Sequence, residues 1–120
     1  MIGGLEIMPL DHSKLTVYRE ALELLSIIDE IIGLLPVGSG TLRDQLDRAA
    51  MSIITNIAEG AGESASEKKR FYWDARRSVN ELAAWLDILA RRQQITPELH
   101  ASADARMTAI VSMLEAEGSI

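Results

Sequence analysis

Apolar side chains recur in this chain at intervals of three and four residues. This spacing constrains the fold class more than any other feature of the sequence. Between residues 14 and 35 two such sets run side by side, one at 15, 18, 22, 25, 28, 32 and 35 and one at 17, 21, 24, 27, 31 and 34. The helical repeat of about 3.6 residues places each set along one side of a helix. A helix that faces solvent carries a single apolar stripe, so the pattern predicts a first helix that is buried on two sides.

Three further helices are predicted from the same spacing and from start and stop signals. Thr41, with an acid three residues later, predicts the N-cap of a second helix, which glycines at 60 and 62 end. Ser64 and Glu67 form the S-x-x-E pattern of a capping box and open a third helix that reaches about residue 93. Thr96, followed by a proline, predicts the start of a fourth helix that ends near residue 118.

The predicted fold class is all-α. No segment alternates polar and apolar residues as a strand does. Four helices of about 20, 20, 27 and 20 residues with short loops are typical of an antiparallel up-down-up-down four-helix bundle. Residues 1–13 are predicted as an N-terminal tail and residues 14–118 as one bundle domain. The predicted core face of the third helix consists of Phe71, Ala75, Ser78, Leu82, Leu86 and Leu89.

Composition and motifs exclude several classes of function. The chain has no cysteine, which excludes disulfides and thiolate metal sites. It lacks the Glu-x-x-His pairs of di-iron bundles, and its two histidines, His12 and His100, are predicted to lie on the surface. It has neither a nucleophile elbow nor a P-loop. We therefore expect no catalytic residues, no metal and no cofactor.

Location and membrane association are predicted from the apolar segments. The most apolar window, residues 22–37, is interrupted by two acids and is shorter than the roughly 20 residues of a membrane span. The first 13 residues lack the basic and apolar regions of a signal peptide. We expect a cytoplasmic protein with no membrane partner.

The second predicted helix carries a polar stripe, which consists of Arg48, Ser52, Asn56 and Glu59 at spacings of four, four and three. One interpretation is a hydrogen-bonded network that fixes how the second and third helices meet. The alternatives are a ligand or nucleic-acid surface and a simple solvated face. An antiparallel hairpin would bring Arg48 within about one turn of acids on the third helix. We therefore predict an ion pair there, and a hydrogen bond from Asn56 near the hairpin turn.

Charge is unevenly distributed along the chain. Eighteen Asp and Glu against 12 Lys and Arg give a net charge of −6, which disfavours phosphate binding. Residues 68–77 nevertheless hold five cations and only one acid, Asp74. This basic island is either a solvated, salt-bridged face or a site for nucleic acid or an acidic partner. Trp73 and Trp85 are predicted to pack or to contact another subunit. The basic island consists of Lys68, Lys69, Arg70, Arg76 and Arg77.

Three segments together resemble one protein family. The second helix contributes Gln45, Arg48, Ala49, Ser52, Ile53 and the run Asn56-Ile57-Ala58-Glu59-Gly60. The first helix contributes Leu15, Val17, Tyr18 and Ala21. The third contributes Phe71, Tyr72, Ala75, Arg76, Ser78, Glu81 and Leu82. Over residues 14–115 the chain resembles the bacterial four-helix-bundle family first noticed as products of intervening sequences in 23S rRNA genes.

The resemblance implies a compact antiparallel bundle that assembles into a homopentamer and has no known catalytic activity. It also implies that Gly60, Ser78 and Glu81 belong with the polar stripe to the family motif. Some relatives are accessory variability proteins of diversity-generating retroelements, which bind nucleic acid and a reverse transcriptase. Those relatives are strongly basic, unlike this chain. The leading hypothesis is a non-enzymatic homo-oligomeric scaffold, and the alternative is a nucleic-acid-binding accessory factor that uses the basic island.

Overall fold

The computed structural model describes residues 10–118, and these residues form four α-helices with no strand among them. A short 3-10 helix, Asp11–Lys14, precedes the bundle. Residues 1–9 of the predicted tail lie outside the described residues. The all-α prediction is confirmed. The four helices are α1 (Thr16–Leu34), α2 (Gly40–Ala61), α3 (Ala65–Arg91) and α4 (Pro97–Gly118).

The start of α2 differs from the prediction. The helix begins at Gly40, and Ser39 rather than Thr41 occupies the N-cap position, without a side-chain capping bond. The reason is the preceding turn, in which the Ser39 amide donates to the Pro36 carbonyl over 3.3 Å. That turn brings Ser39 into position to accept the first helical hydrogen bond, from Arg43 over 2.9 Å. The predicted end of α2 is confirmed, because the helix stops at Ala61.

The predicted starts of α3 and α4 are confirmed, but only α4 is capped by a side chain. Ser64 is the N-cap residue of α3, yet its side chain makes no capping hydrogen bond. The predicted capping box is wrong because the Glu67 carboxylate instead accepts hydrogen bonds from Arg70. At α4 the Leu99 amide donates to Thr96 Oγ1 over 3.1 Å, so that cap is confirmed.

The helices form a bundle in which each packs against two neighbours. Among the described helices, α1 lies against α2 and α4, and α3 lies against the same two, while no Cα atoms of the diagonal pairs come within 8 Å of each other. Ser52 of α2 meets Ser78 of α3, and Gly60 meets Tyr72. Position rises along one helix as it falls along the other, so this pair is antiparallel. The short connections give the same relation to the other neighbours.

The core lies between the four helices. Every described residue that is both large and fully buried is apolar or aromatic. On α3 the buried aromatic side chain is Tyr72, whereas Phe71, predicted for the core face, is half-buried. The largest fully buried side chains are Leu24, Ile28, Ile31, Leu46, Ile53, Ile57, Tyr72, Leu82, Leu86, Leu89, Ile110 and Leu114.

Within one chain only one side of α1 is covered. Val17, Ala21, Leu24, Ile28 and Ile31 are buried, and they all lie toward the core. Leu22 and Leu34, which lie about 120° apart on opposite flanks of this buried stripe, are exposed by 39% and 59%. Burial of α1 on two sides is therefore wrong for the single chain, because α2 and α4 cover the core-facing stripe and leave both of these flanking positions exposed.

Two polar contacts tie neighbouring helices together. The Arg43 guanidinium at the start of α2 donates to the carbonyls of Leu35 (2.9 Å) and Pro36 (3.2 Å), just beyond the end of α1. Arg106 of α4 donates to both carboxylate oxygens of Glu20 on α1, over 2.8 and 2.9 Å. Hydrogen bonding to that carboxylate, and its charge, raise the pKa of Arg106 above the ordinary arginine value.

Among the described helices, none combines the length and the apolar character that a membrane span requires.

Candidate functional site

Two residues of the polar stripe, Ser52 and Asn56, lie at the seam between α2 and α3, where a surface cavity of about 460 Å³ opens to solvent. Its side chains carry hydroxyl, amide, carboxylate and guanidinium groups. The cavity thus has the chemistry to hydrogen-bond a polar group, and it contains no histidine. We refer to it as the polar groove, lined by Ser52, Asn56, Asp74, Arg77, Ser78 and Glu81.

A short hydrogen-bonded chain forms the floor of the polar groove. The hydroxyls of Ser52 and Ser78 lie 2.8 Å apart and link α2 to α3. Asn56 Nδ2 donates to the Ser52 carbonyl over 2.9 Å and to the Ser52 hydroxyl over 3.2 Å. The Ser52 oxygen can therefore accept from Asn56 while its proton is donated to Ser78. The bond from Asn56 runs one turn back along α2 and not into the hairpin turn, where it was predicted.

The charged members of the predicted site stand outside this chain of hydrogen bonds. Arg48 and Glu59 are exposed. Within residues 10–118 Arg48 makes no ion pair, so its predicted pairing with an acid of α3 is wrong. A long exposed side chain loses more entropy than a solvated ion pair returns. Of the acids on α3, Glu81 is exposed at the rim of the groove, and Asp74 pairs with Arg77 over 3.9 Å.

Gly60 has a packing role at the end of the family motif. A Cβ atom at this position would lie 2.8 Å from Cε1 and 2.9 Å from Cδ1 of Tyr72, and 3.0 Å from Cβ of Phe71. Because Tyr72 is fully buried, its ring has no room to retreat. The glycine is therefore what allows α2 and α3 to approach each other at this end of the seam.

Several cations of the basic island already have partners. Arg70 pairs with Glu67 over 3.0 Å and lies over the Phe71 ring, 4.4 Å from its centroid. Arg76 lies over the ring of Trp73 at 5.7 Å. Lys69 is exposed, and Lys68 is half-buried.

Trp73 lies exposed within the basic island, a position that the prediction of packing or a subunit contact did not specify. Its side chain is 50% exposed and shares a shallow apolar hollow with Ser66, Lys69 and Arg70. The sequence spacing indicates this position, because Lys69 and Arg77 stand four residues before and after Trp73 and therefore share its helix face. The structure therefore places an exposed aromatic ring in the middle of the basic island.

A second cavity, of about 780 Å³, opens where the α3–α4 connection meets the end of α1. Leu34, Ile95 and His100 are among the residues that line it. His100 was predicted to lie on the surface, but its side chain is only 27% exposed and Nε2 lies 2.9 Å from Oδ1 of Asp87. Residues 10–118 contain no group of three or more His, Asp or Glu side chains placed to hold a metal ion.

Comparison with known protein families gives a match. The family model described as 23S rRNA-intervening sequence protein matches residues 13–116, which is most of the chain and includes the polar groove and the basic island. A search of curated proteins finds no match.

Proposed function

We propose that this chain, which belongs to the 23S rRNA-intervening sequence protein family, is a non-enzymatic cytoplasmic protein that works as a homo-oligomeric scaffold or interaction protein. The observation that carries the proposal is the exposure of large apolar side chains on the outer surfaces of a complete bundle. Trp73, Ile88, Leu22 and Met51 are between 39% and 50% exposed, although each sits on a well-formed helix. Contiguous apolar area on a small protein is typical of a surface that contacts another chain, and self-association would cover these side chains.

The chemistry of the polar groove supports a role without catalysis. The hydroxyls of Ser52 and Ser78 are hydrogen-bonded to each other, and Asn56 donates to Ser52, so neither hydroxyl is paired with a base that could activate it. The groove is instead suited to holding α2 and α3 in register.

The family resemblance makes the proposed assembly a homopentamer, and sedimentation velocity of the wild-type chain tests it. We expect one species heavier than the 13.2 kDa monomer at micromolar concentration. A single 13.2 kDa species across the micromolar range would overturn the proposal.

The second candidate function is nucleic-acid binding through the basic island. The observation in its favour is Trp73, because an exposed ring beside cations is able to stack on an unpaired base. Against it stand the net charge of −6 and the partners that already engage Arg70 and Arg77. We expect no binding at physiological salt.

A salt titration with single-stranded RNA separates the two candidates. Binding through phosphates would weaken linearly in log affinity against log salt, with a slope of about −0.7 per phosphate neutralised. The double variant Lys69→Glu, Arg70→Glu should abolish such binding. Submicromolar, salt-sensitive affinity of the wild-type chain would promote the second candidate.

A further inference from the structure

We propose that the chain assembles head to tail, with the outer face of α3 in one subunit docked on the outer face shared by α1 and α2 in the next. The inference rests on the proposed homo-oligomeric role and adds which two surfaces meet. The α3 face consists of Lys69, Arg70, Trp73, Arg76 and Arg77. The α1–α2 face consists of Leu22, Asp29, Asp47 and Met51.

The α3 face combines an apolar centre with unpaired positive charge. Trp73, half exposed, lies on the side of α3 opposite the core residues Tyr72, Ala75 and Val79. Lys69 is exposed, and neither it nor Arg76 forms an ion pair with any residue of the described range 10–118. A surface with this composition fits a partner that offers apolar area bordered by carboxylates.

The α1–α2 face offers apolar side chains with carboxylates beside them, and it also holds one exposed arginine on each helix, Arg19 and Arg48. On α1, Glu20 faces α4 through Arg106, and Leu22 lies two residues, or about 200°, further around the helix, on the flank toward α2. Asp29 is seven residues, or two turns, beyond Leu22 and lies on the same flank. Both side chains are exposed, Leu22 by 39%.

The α2 half of the face is located by Arg43, which touches the end of α1. Asp47 and Met51 follow Arg43 at intervals of four residues and so continue along the α1 side of α2. Both are exposed, Met51 by 43%, and Asp47 pairs with no cation in the described part of the chain. Leu22 and Met51 are thus two exposed apolar side chains flanked by two carboxylates.

Charge complementarity identifies a second copy of this chain as the partner. The helix α1 carries four acids and one base, while residues 65–80 of α3 carry five bases and two acids. Either face turned against its own copy would bring like charges together, so a two-fold contact through one face is disfavoured. The two different faces attract each other, and a contact of that kind closes into a ring when its rotation allows.

A pair of complementary variants tests the arrangement. Variant A, Lys69→Glu with Trp73→Gln, alters only the α3 face. Variant B, Leu22→Gln, Asp47→Gln and Met51→Gln, alters only the α1–α2 face and adds no charge that would attract variant A's new glutamate. Ala105→Glu, at an exposed position of α4 outside both faces, is the control. Circular dichroism checks that each variant keeps its helices, and Trp73→Ala alone serves if variant A does not fold.

The expected masses follow from the geometry. Each variant alone should sediment as a monomer of about 13 kDa, and the control should keep the wild-type mass. An equimolar mixture should give a dimer and nothing larger, because only one intact face of each kind remains. A mixture that stays monomeric, or a variant that keeps the wild-type mass, would overturn the inference. So would a variant A that keeps its mass but loses RNA binding. A monomeric wild type would instead defeat the proposed function itself.

Discussion

At the scale of single residues, Gly60 and Tyr72 decide how closely α2 and α3 pack. The Gly60→Ala change would place a methyl group within 3.0 Å of a fully buried ring. Overpacking of this kind costs about 1–3 kcal/mol, which exceeds the roughly 1 kcal/mol that alanine gains over glycine within a helix. We expect a lower free energy of unfolding, measured by urea denaturation.

Gly33→Ala is the matched control, since it also lies within a helix but has no atom within 4 Å of the added Cβ. It should stabilise the chain by about 0.5–1 kcal/mol. Equal effects of the two substitutions would show that Gly60 has no packing role.

The Tyr72 hydroxyl makes stability depend on alkaline pH. Burial, and to a smaller extent Glu117, raise the pKa of Tyr72 above 10 in the folded chain. The unfolded chain therefore releases this proton first, and the stability that Tyr72 contributes below pH 10 is lost as pH rises through the folded-state pKa. We expect thermal stability above pH 10 to fall less in Tyr72→Phe than in the wild type.

At neutral pH the same variant tests the hydroxyl itself. No described residue accepts a hydrogen bond from the Tyr72 oxygen or donates one to it. Removing a buried hydroxyl without a partner should leave Tm unchanged or higher. A clearly lower Tm for Tyr72→Phe at pH 7 would mean that the hydroxyl makes a stabilising bond.

At the scale of the helices, Arg43 and Arg48 form a natural pair for comparison on α2. Arg43 binds carbonyls beyond the end of α1, whereas Arg48 is exposed and makes no ion pair within residues 10–118. We expect Arg43→Gln to cost about 1–2 kcal/mol, because charged hydrogen bonds to those carbonyls are lost. Arg48→Gln should stay within about 0.5 kcal/mol. A reversed order in urea denaturation would contradict the assigned contacts.

The helices could be predicted from the sequence because apolar spacing is a local signal. The predicted end of α2 and the Thr96 cap depend on residues adjacent in the chain, and both are confirmed. The capping box at Ser64 failed because Glu67 had a competing partner, Arg70, one turn away. The choice of Tyr72 over Phe71 for the core was available from spacing, because the buried series keeps regular intervals of three and four without the polar Ser78 of the predicted face. That series is Tyr72, Ala75, Val79, Leu82, Leu86 and Leu89.

The candidate site was only partly predictable from the sequence. The spacing of Ser52 and Asn56 placed both on one face of α2, and the structure joins them to Ser78. Whether Arg48 forms an ion pair depends on the distance between its side chain and the acids of α3. That distance cannot be inferred from the residue pattern of one helix.

At the scale of the whole molecule, the bundle leaves complementary surfaces unmatched. The described chain presents exposed apolar side chains on α1, α2 and α3, with carboxylates beside those of α1 and α2 and cations beside Trp73. A monomer would expose both surfaces to water, and association would cover them. The proposed role as a homo-oligomeric scaffold therefore depends on self-association.

Native mass spectrometry of the wild-type chain at several concentrations tests self-association, because it counts the subunits in each species. We expect one dominant closed species, a homopentamer of the 13.2 kDa chain, whose subunit number does not grow with concentration. A 13.2 kDa monomer at every concentration, or a ladder of species that lengthens without limit, would contradict it.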